Sequence, residues 1–372
     1  MGTQVQAVPT VGGTATGWSV SPALPAGLTL SYTTGTISGV AFESIAPTDY
    51  TVTAYNGTAQ ASTHLSISIT TTMPAPAAAS YTTFDGTPLT LYAWEGRNLA
   101  ILSRNPSLNP GTMQLWVAAL DRGWDFAASM TGRQPTAYSP TQYNGKSTIA
   151  DVPSTCGAGC SYLGTTGTEV ANSYFDATYA SAHDKGLYGS FLFYEFGRTF
   201  WFYDSKVDYK DPNPSDAVVT GYAVLMQWWA MEGAGVQEDV STCDGFDHNT
   251  ELAHVAGLID VYLANTSLTW SNTLATNSPV LQGCADDAPV LFASFLMRAR
   301  RDYGGTGFVG NVWKQVDARP DAVTTQDAVD NLVLAASAAS NANLTQVFNV
   351  NWRWPVSDAA KAEALSRWGQ PR

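Results

Sequence analysis

Positive charge is scarce in this sequence of 372 residues. It holds 18 Lys and Arg residues against 31 Asp and Glu residues, so the formal net charge at pH 7 is −13. A protein with this balance of charges repels the phosphate backbone of nucleic acids. We therefore expect no nucleic-acid partner.

Long apolar runs are missing as well. A membrane-spanning helix needs about 20 predominantly apolar residues, and the most apolar stretches here are interrupted by Glu195 and Arg198 or by Gln227. The sequence also lacks a G-x-S-x-G nucleophile elbow, and its two glycine clusters lack the lysine of a phosphate-binding loop. We expect neither a membrane span nor either of these two chemistries.

The composition that remains is typical of proteins outside the cell. Charged residues make up only 13% of the chain, and four residues are Cys. Cys156 and Cys160 flank a Gly-Ala-Gly spacer that lets a tight loop close, so Cys243 and Cys284 would pair by elimination. The alternative is a zinc site, but a C-x3-C pair with two unspaced partners is a poor match to zinc-site spacing. We predict two disulfides.

The first residues, Met1-Gly2-Thr3, carry neither the basic segment nor the apolar segment of an export signal. The low charge and the cysteine pattern nevertheless indicate an oxidising, extracellular location. We therefore expect a secreted protein whose signal peptide has been removed from this sequence.

Residues 1–72 have the pattern of an all-β segment. Short alternating stretches are separated by Gly, Pro and Asn turn signals, as a β-sandwich requires. Three runs resemble the immunoglobulin-like modules of secreted bacterial proteins: Trp18-Ser-Val-Ser-Pro-Ala-Leu-Pro-Ala-Gly-Leu-Thr-Leu30, Thr34-Gly-Thr-Ile-Ser-Gly39 and Tyr50-Thr-Val-Thr-Ala-Tyr-Asn56. The resemblance implies a sandwich that acts as a spacer or adhesion module and carries no chemistry.

Residues 73–82 are rich in Pro, Ala and Thr and are predicted to be a linker. Residues 83–372 are predicted to form one α+β domain, with a small sheet first and a mostly helical half from about residue 187. The fold class is therefore multidomain, an all-β sandwich followed by an α+β domain. Periodicity places strands near 89–94, 98–103 and 146–152, a helix from Pro110, and helices near 187–204, 215–233, 251–264, 286–303, 307–317, 325–339 and 357–368.

The helix predicted from residue 187 onward is apolar on nearly every side, so we expect it to be buried. Within it, Glu195 and Arg198 are three residues apart and share a face. An unpaired charge in a core costs several kcal/mol, so we expect the carboxylate of Glu195 to pair with the guanidinium of Arg198. One interpretation of this pair is purely structural: an ion pair that fixes the position of the helix.

A second interpretation comes from a resemblance. The run Tyr194-Glu-Phe-Gly-Arg-Thr-Phe-Trp201 resembles the H-E-x-x-H helix of zincin metallopeptidases, with Tyr194 and Arg198 at the histidine positions and Glu195 at the general-base position. Trp229-Ala-Met-Glu-Gly-Ala-Gly235 is similar to the gluzincin segment with the third zinc ligand, which implies that role for Glu232. Residues 338–356 resemble the end of enhancin-like secreted gluzincins. Together these matches imply a zincin-like fold for the larger domain.

Both histidines of the zincin helix are replaced here, and this has a chemical consequence. A guanidinium has no lone pair to donate to a metal. Charges of +1 and +2 about 4 Å apart repel by roughly 8 kcal/mol at an effective dielectric constant of about 20. We therefore predict that zinc and other cofactors are absent, and that Arg198 takes the metal's place between the carboxylates of Glu195 and Glu232.

A further cluster of candidate metal ligands lies at Asp247–His254. His248, Glu251 and His254 fall within about 120° on a helix, but this spacing spreads ligands more widely than the i, i+4 pair of zinc helices. Capping by Asp247 or Asn249, with surface histidines, is the favoured interpretation. The acidic loop Cys284-Ala-Asp-Asp287 leaves a structural calcium ion open.

These residues predict a secreted hydrolase-like protein that acts on an extracellular polymer, either a polysaccharide or a glycoprotein. Glu195 would be the base, Arg198 the electrostatic anchor, and Tyr194 and Glu232 would support them. Trp201, Trp228 and Trp229 would border the cleft as platforms for sugar rings. The first alternative is a catalytically inactive relative of peptidases that binds or adheres. The second alternative is a structural component of a surface or assembly.

Overall fold

A computed structural model describes residues 4–210, 215–240, 245–283 and 285–372. Three predictions depend on residues outside these ranges. They are the lack of an export signal at Met1-Gly2-Thr3, the disulfide between Cys243 and Cys284, and the calcium loop that begins at Cys284. The chain has an α+β, multidomain architecture of small antiparallel sheets, one mixed sheet and many helices. It divides into two compact units. The first consists of Met1–Asp121, Pro140–Gly159 and Glu169–Gly189, and the second of Arg122–Ser139, Cys160–Thr168 and Ser190–Arg372.

The first unit begins with six strands that form two three-stranded sheets. The sheet orders are β1-β4-β3 and β2-β5-β6, and the paired strands are antiparallel. Trp18, Ile37 and Val52 form the buried core of this segment. Because all six regular elements are strands, the prediction that this segment is all-β is confirmed. The strands are β1 (Gln4–Ala7), β2 (Gly17–Ser21), β3 (Leu28–Leu30), β4 (Ile37–Val40), β5 (Ile45–Asn56) and β6 (Ala59–Ile69).

The Leu-Pro-Ala-Gly-Leu turn before β3 depends on its glycine. Gly27 has a φ of +88°, and a Cβ atom at this position would lie 1.9 Å from the carbonyl oxygen of Val40. Any side chain here would therefore meet both a backbone conformation that L residues rarely adopt and a direct clash. The chain reversal before β3 therefore requires glycine at position 27.

The first unit also contains most of a seven-stranded mixed sheet with the order β12-β13-β11-β9-β8-β7, where β10 pairs with β11. Strands β7, β8 and β9 pair antiparallel, whereas β9 and β11 are parallel. The strands are β7 (Ala77–Thr82), β8 (Pro88–Glu95), β9 (Leu99–Ser103), β10 (Gln142–Tyr143), β11 (Lys146–Val152), β12 (Gly159–Ser161) and β13 (Thr168–Ala171). The helices are α1 (Pro110–Thr131) and α2 (Asn172–Lys185).

Two elements in this region were not predicted from the sequence. Most of the predicted linker, residues 73–82, is strand β7, because Ala79 and Tyr81 alternate into the core of the sheet at 6% and 3% exposure. Helix α2, which ends with His183, Asp184 and Lys185, is absent from the predicted elements. The alternation in β7 is carried by alanine, which has weak strand propensity. In contrast, the disulfide between Cys156 and Cys160 is present as predicted.

The second unit is mostly helical. The prediction of one long helix at 187–204 is wrong, since α3 ends at Arg198 and residues 199–203 are not helical. No helix in the described ranges is long and apolar enough to cross a membrane. The helices are α3 (Ser190–Arg198), α4 (Asp204–Val207), α5 (Ala217–Ala234), α6 (His248–Ala264), α7 (Ala288–Ala299), α8 (Gly305–Val309), α9 (Val312–Asp317), α10 (Thr325–Ser340) and α11 (Asp358–Trp368), with π-helical turns at Arg300–Gly304 and Val347–Asn351.

Helices α3 and α5 pack closely against each other. The hydroxyl of Tyr222 on α5 donates a hydrogen bond of 2.8 Å to the carbonyl of Phe200, just after α3. A Cβ atom on Gly197 would lie 2.8 Å from the Cβ atom of Met226, so the two backbones approach most closely where α3 has no side chain. This contact holds in place the helix that carries Glu195.

Candidate functional site

Helix α3 presents one partly accessible face. Ser190, Tyr194 and Arg198 recur every four residues and are half-buried, as expected for one stripe of an α-helix. The opposite side is sealed, since Phe193 and Phe196 are 0% and 1% exposed. Tyr194 and Arg198 lie on the same side of the helix, as the resemblance to the H-E-x-x-H helix implied. The expectation that the helix is buried on nearly every side is wrong, because this face is partly accessible.

Glu195 lies at the edge of this face and is 8% exposed. A hydrogen bond from the Ser161 side chain and the positive charge of Arg198 both favour its ionised form, but burial outweighs them and raises the pKa of Glu195 to about 7. Its Oε2 atom is buried and has no hydrogen-bond partner within the described part of the chain. The carboxyl group therefore changes protonation state near neutral pH.

Ser161 was not identified from the sequence. It lies on β12, and its hydroxyl is 2.7 Å from the hydroxyl of Thr168, which is 1% exposed. Because Ser161 donates to Glu195, Thr168 is left as the donor to Ser161. A chain of hydroxyls thus orients one oxygen of the carboxyl group. A lone serine 34 positions before Glu195 gives no pattern from which this contact could be inferred.

The guanidinium of Arg198 donates a hydrogen bond of 3.1 Å to the hydroxyl of Tyr194. Its central carbon is 5.8 Å from the centroid of the Tyr194 ring. Tyr194 also hydrogen-bonds to Thr220 on α5, and burial raises the pKa of its phenol. Over the described ranges, no carboxylate oxygen lies within 4 Å of a nitrogen of Arg198. The predicted direct ion pair with Glu195 is therefore wrong. The pKa of Glu195 is raised instead, so the buried carboxyl group can be neutral and does not need an ion-pair partner.

Glu232 does not join this group. It lies at the exposed end of α5, where its two carboxylate oxygens accept hydrogen bonds of 2.6 and 2.7 Å from Arg300. These bonds lower the pKa of Glu232. The prediction that Glu232 and Glu195 hold Arg198 between them is wrong, because an arginine 68 residues further along the chain binds this carboxylate. From α5, the residue that reaches the Tyr194 hydroxyl is Thr220.

The three tryptophans predicted to bind substrate are buried. Trp201, Trp228 and Trp229 are 2%, 3% and 2% exposed. The ring of Trp201 packs edge-on against Tyr222 at 5.1 Å, and that of Trp229 packs edge-on against Phe308 at 6.5 Å. The prediction of sugar platforms bordering an open cleft is therefore wrong. Aromatic content alone does not distinguish a binding surface from a core.

The residues at the zincin positions do not fit a zinc ion. Arg198 cannot coordinate a metal, and Tyr194 accepts a hydrogen bond from Arg198 at the position where a ligand would have to face the ion. The carboxylate expected as third ligand, Glu232, is bound by Arg300. The chemistry of this donor set disagrees with the metal centre of the family that the sequence resembles.

Residues of the second candidate metal cluster, Asp247–His254, also bind other groups of the protein. Asp247 caps α6 by accepting a hydrogen bond from the Thr250 amide, as predicted. His254 is paired with Asp286 at 3.0 Å. Asp287 caps α7 by accepting from the amide of Val290. The two acidic residues of the loop considered for calcium thus have structural roles.

A second buried carboxyl group, Glu238, lies in the loop that follows α5. It is 6% exposed, and its Oε1 atom has no hydrogen-bond partner among the described residues. Burial and the charge of Glu251 raise its pKa to about 7, against a hydrogen bond from Ser190. Ser190 is the first residue of α3, so the helix that carries Glu195 also contacts a second buried glutamate. Glu238 lies in an irregular loop, so no helix or strand pattern in the sequence identifies it.

No protein-family model and no curated protein matches this chain. Two solved structures are similar to it: a functionally unknown conserved protein from Bacillus anthracis str. Ames, with a TM-score of 0.49, and a mutant of a protein so described from the same organism, with a TM-score of 0.50. Sequence identity is 11% in both cases, and the match covers 76% of this chain. The chain spans 52% of the length of these structures, so the likeness concerns the fold alone.

Proposed function

We propose that the second unit is a metal-free, hydrolase-like domain that acts on an extracellular polymer, a polysaccharide or a glycoprotein, with Glu195 as its acid–base group. One observation carries this proposal: Glu195 is buried, its pKa is about 7, and one of its carboxyl oxygens has no partner within the described ranges. Perturbed carboxyl groups of this kind are concentrated at functional sites. A purely structural carboxylate of similar burial would be expected to have all its hydrogen bonds satisfied.

The chemistry follows from the protonation state. Near neutral pH, Glu195 exists in both forms, so the same carboxyl group can accept a proton from water and donate one to a leaving group. Arg198 lies on the same face of α3 and supplies a fixed positive charge for developing negative charge. The Tyr194 hydroxyl, held between Arg198 and Thr220, positions that charge.

The proposal includes the finer fold assignments and the location. We infer a zincin-like domain whose metal ligands have been replaced, preceded by an immunoglobulin-like module of a secreted bacterial protein. The close packing of α3 and α5 after a mixed sheet supports the first inference. Two three-stranded sheets and the glycine-dependent turn at Gly27 support the second. The Cys156–Cys160 disulfide supports secretion.

The test is a screen of glycan and peptide substrates with three proteins in parallel. The wild type and Glu232→Gln should turn over the same substrates at similar rates, because Glu232 is engaged by Arg300 away from the site. Glu195→Gln should lose at least about a hundredfold in rate, the usual contribution of a general acid or base. Equal turnover by Glu195→Gln and wild type would refute the proposal.

A second candidate function, binding or adhesion without catalysis, is favoured by a different observation. The β-sheet segment of the first unit holds a groove of about 670 Å3, lined in part by Trp18, Val52 and Leu65. A mainly apolar concavity of this size is typical of ligand sites. Binding of a polymer by residues 1–72 alone, together with no turnover by the whole chain, would favour this alternative.

A further inference from the structure

Arg198 differs from the other well-placed arginines of the second unit in what its guanidinium contacts. Arg300 donates two hydrogen bonds to Glu232, and Arg319 donates two to Glu363. A guanidinium has five N–H donors, yet Arg198 donates only the bond to Tyr194 in the described part of the chain. It is half-buried on the accessible face of α3. Most of its donors are therefore free to bind another group.

A second, independent observation lies on the same helix. The Oε2 atom of Glu195, three residues before Arg198, is buried without a hydrogen-bond partner among the described residues. Unsatisfied buried polar atoms are uncommon in folded proteins because they destabilise the folded state. A ligand that hydrogen-bonds to Oε2 and to the guanidinium would satisfy both groups at once.

We infer that Arg198 binds a carboxylate of the substrate, and that the substrate is a sugar bearing a single carboxyl group, such as a uronic acid. A planar guanidinium matches a carboxylate with two parallel hydrogen bonds. Arg198 brings one positive charge, and the neighbouring Glu195 adds either none or one negative charge. With Glu195 protonated, the site therefore balances a monoanion and not a phosphate dianion.

The neutral groups around Arg198 favour a sugar as the remainder of the ligand. Ser161 hydrogen-bonds to Glu195, Tyr194 hydrogen-bonds to Arg198 and Thr220, and all three hydroxyl residues are half-buried. Hydroxyls both donate and accept hydrogen bonds, as the hydroxyls of a sugar ring do.

The inference is tested by binding alone, without turnover. Calorimetry or ligand-observed NMR with the full chain would compare glucuronate with glucose, which has a CH2OH group in place of the carboxylate. We expect glucuronate to bind at least about tenfold more tightly than glucose, since each bidentate charged contact contributes more than 1 kcal/mol. Equal affinity of the two sugars for the wild type would overturn the inference.

Variants locate the contact. Arg198→Gln should abolish the preference for glucuronate, and Arg198→Lys should reduce it, because lysine keeps the charge but loses the planar pair of donors. Arg300→Gln is the matched control and should keep the preference, since Arg300 is occupied by Glu232. A preference that survives in folded Arg198→Gln or Arg198→Lys at its full value, or is lost in Arg300→Gln, would contradict the assignment. Thermal melting checks that each variant is folded.

Two other ligands separate the remaining possibilities. Inorganic phosphate should bind more weakly than glucuronate, and tighter binding of phosphate would overturn the choice of a monoanion. N-acetylglycine carries a carboxylate on a peptide, and tighter binding of this compound would overturn the choice of a sugar.

The inference rests on the proposed function for its view that substrate enters this face, but the two can fail separately. Binding of glucuronate through Arg198 without any turnover would remove the proposed catalysis and keep the binding site. Turnover that depends on Glu195 but is restricted to neutral substrates would keep the catalysis and overturn the carboxylate site.

Discussion

The hydroxyl of Ser161, on strand β12, hydrogen-bonds to the carboxyl group of Glu195, on helix α3, and is itself 2.7 Å from the hydroxyl of Thr168. This bond lowers the pKa of Glu195, whereas burial raises it. The proton affinity of the proposed acid–base group is thus set by two opposed effects, one of which can be removed by a single substitution.

Replacing Ser161 with Ala should therefore raise the pKa of Glu195 above its wild-type value. The physical reason is that the ionised carboxylate loses a donor that stabilises it, while burial is unchanged. If Glu195 acts as a base, the acid limb of the pH–rate profile should move to higher pH by a fraction of a unit to about one unit. Thr168→Val is a milder companion variant that should shift it in the same direction. A downward shift would contradict this geometry.

The stability of the protein should depend on pH through Glu195. Its pKa is about 7 in the folded protein, above the ordinary value of 4.5, so the folded state binds the proton more tightly than the unfolded state does. The free energy of unfolding should therefore fall as the pH rises from about 4.5 to about 7, by on the order of 3 kcal/mol from this group, and level off above.

The measurement is denaturant unfolding of the wild type and Glu195→Gln between pH 4.5 and 8.5. The difference between the two proteins isolates Glu195 from other buried carboxyl groups, such as Glu238. Relative to wild type, Glu195→Gln should gain stability as the pH rises to about 7. A difference that is constant across this range would show that Glu195 does not titrate with a raised pKa.

Glu232→Gln should have only a small effect on stability. Its side chain is 59% exposed, and ion pairs at the surface contribute about 0.2–1 kcal/mol. Urea denaturation should therefore show a loss of no more than about 1 kcal/mol, and this loss should diminish at high salt. A loss of several kcal/mol would indicate that the pair with Arg300 is far better shielded from water than its exposure implies.

Trp201→Ala should unfold or severely destabilise the second unit. The ring is buried against Tyr203, Tyr222 and Trp313, and removing a buried aromatic side chain costs about 3–5 kcal/mol. Tyr32→Ala, at a position 66% exposed, is the control and should cost less than about 1 kcal/mol. A stable Trp201→Ala that had lost only ligand binding would restore the predicted role as a platform.

Local elements could be predicted from the sequence where patterning is strong. The apolar run of α5 and the alternation in the first 69 residues identify their element types. Helix α2 was not predicted because its buried stripe consists only of Phe175, Thr178 and Ala182. Thr178 and Ala182 are not strongly apolar, so the helical periodicity is weak. The end of α3 at Arg198 was missed because aromatic residues continue beyond it, and periodicity cannot distinguish a helix from a buried turn.

The candidate site was predictable only in part, because its partners come from distant segments. The spacing on one helix correctly brought Tyr194 and Arg198 together. However, the carboxylate of Glu232 is bound by Arg300, and the oxygen of Glu195 is bound by Ser161, and neither contact leaves a local pattern in the sequence. Long-range pairing of this kind depends on how the helices pack, which residue spacing does not determine.

The most direct test of the central claim is the titration of Glu195 itself. The carboxyl carbon of Glu195 can be followed by NMR from pH 4 to 9, with its signal assigned by its loss in Glu195→Gln. The burial of this side chain predicts a midpoint of about 7. A midpoint at the ordinary glutamate value of 4.5 would contradict the assignment of Glu195 as a group that exchanges protons near neutral pH.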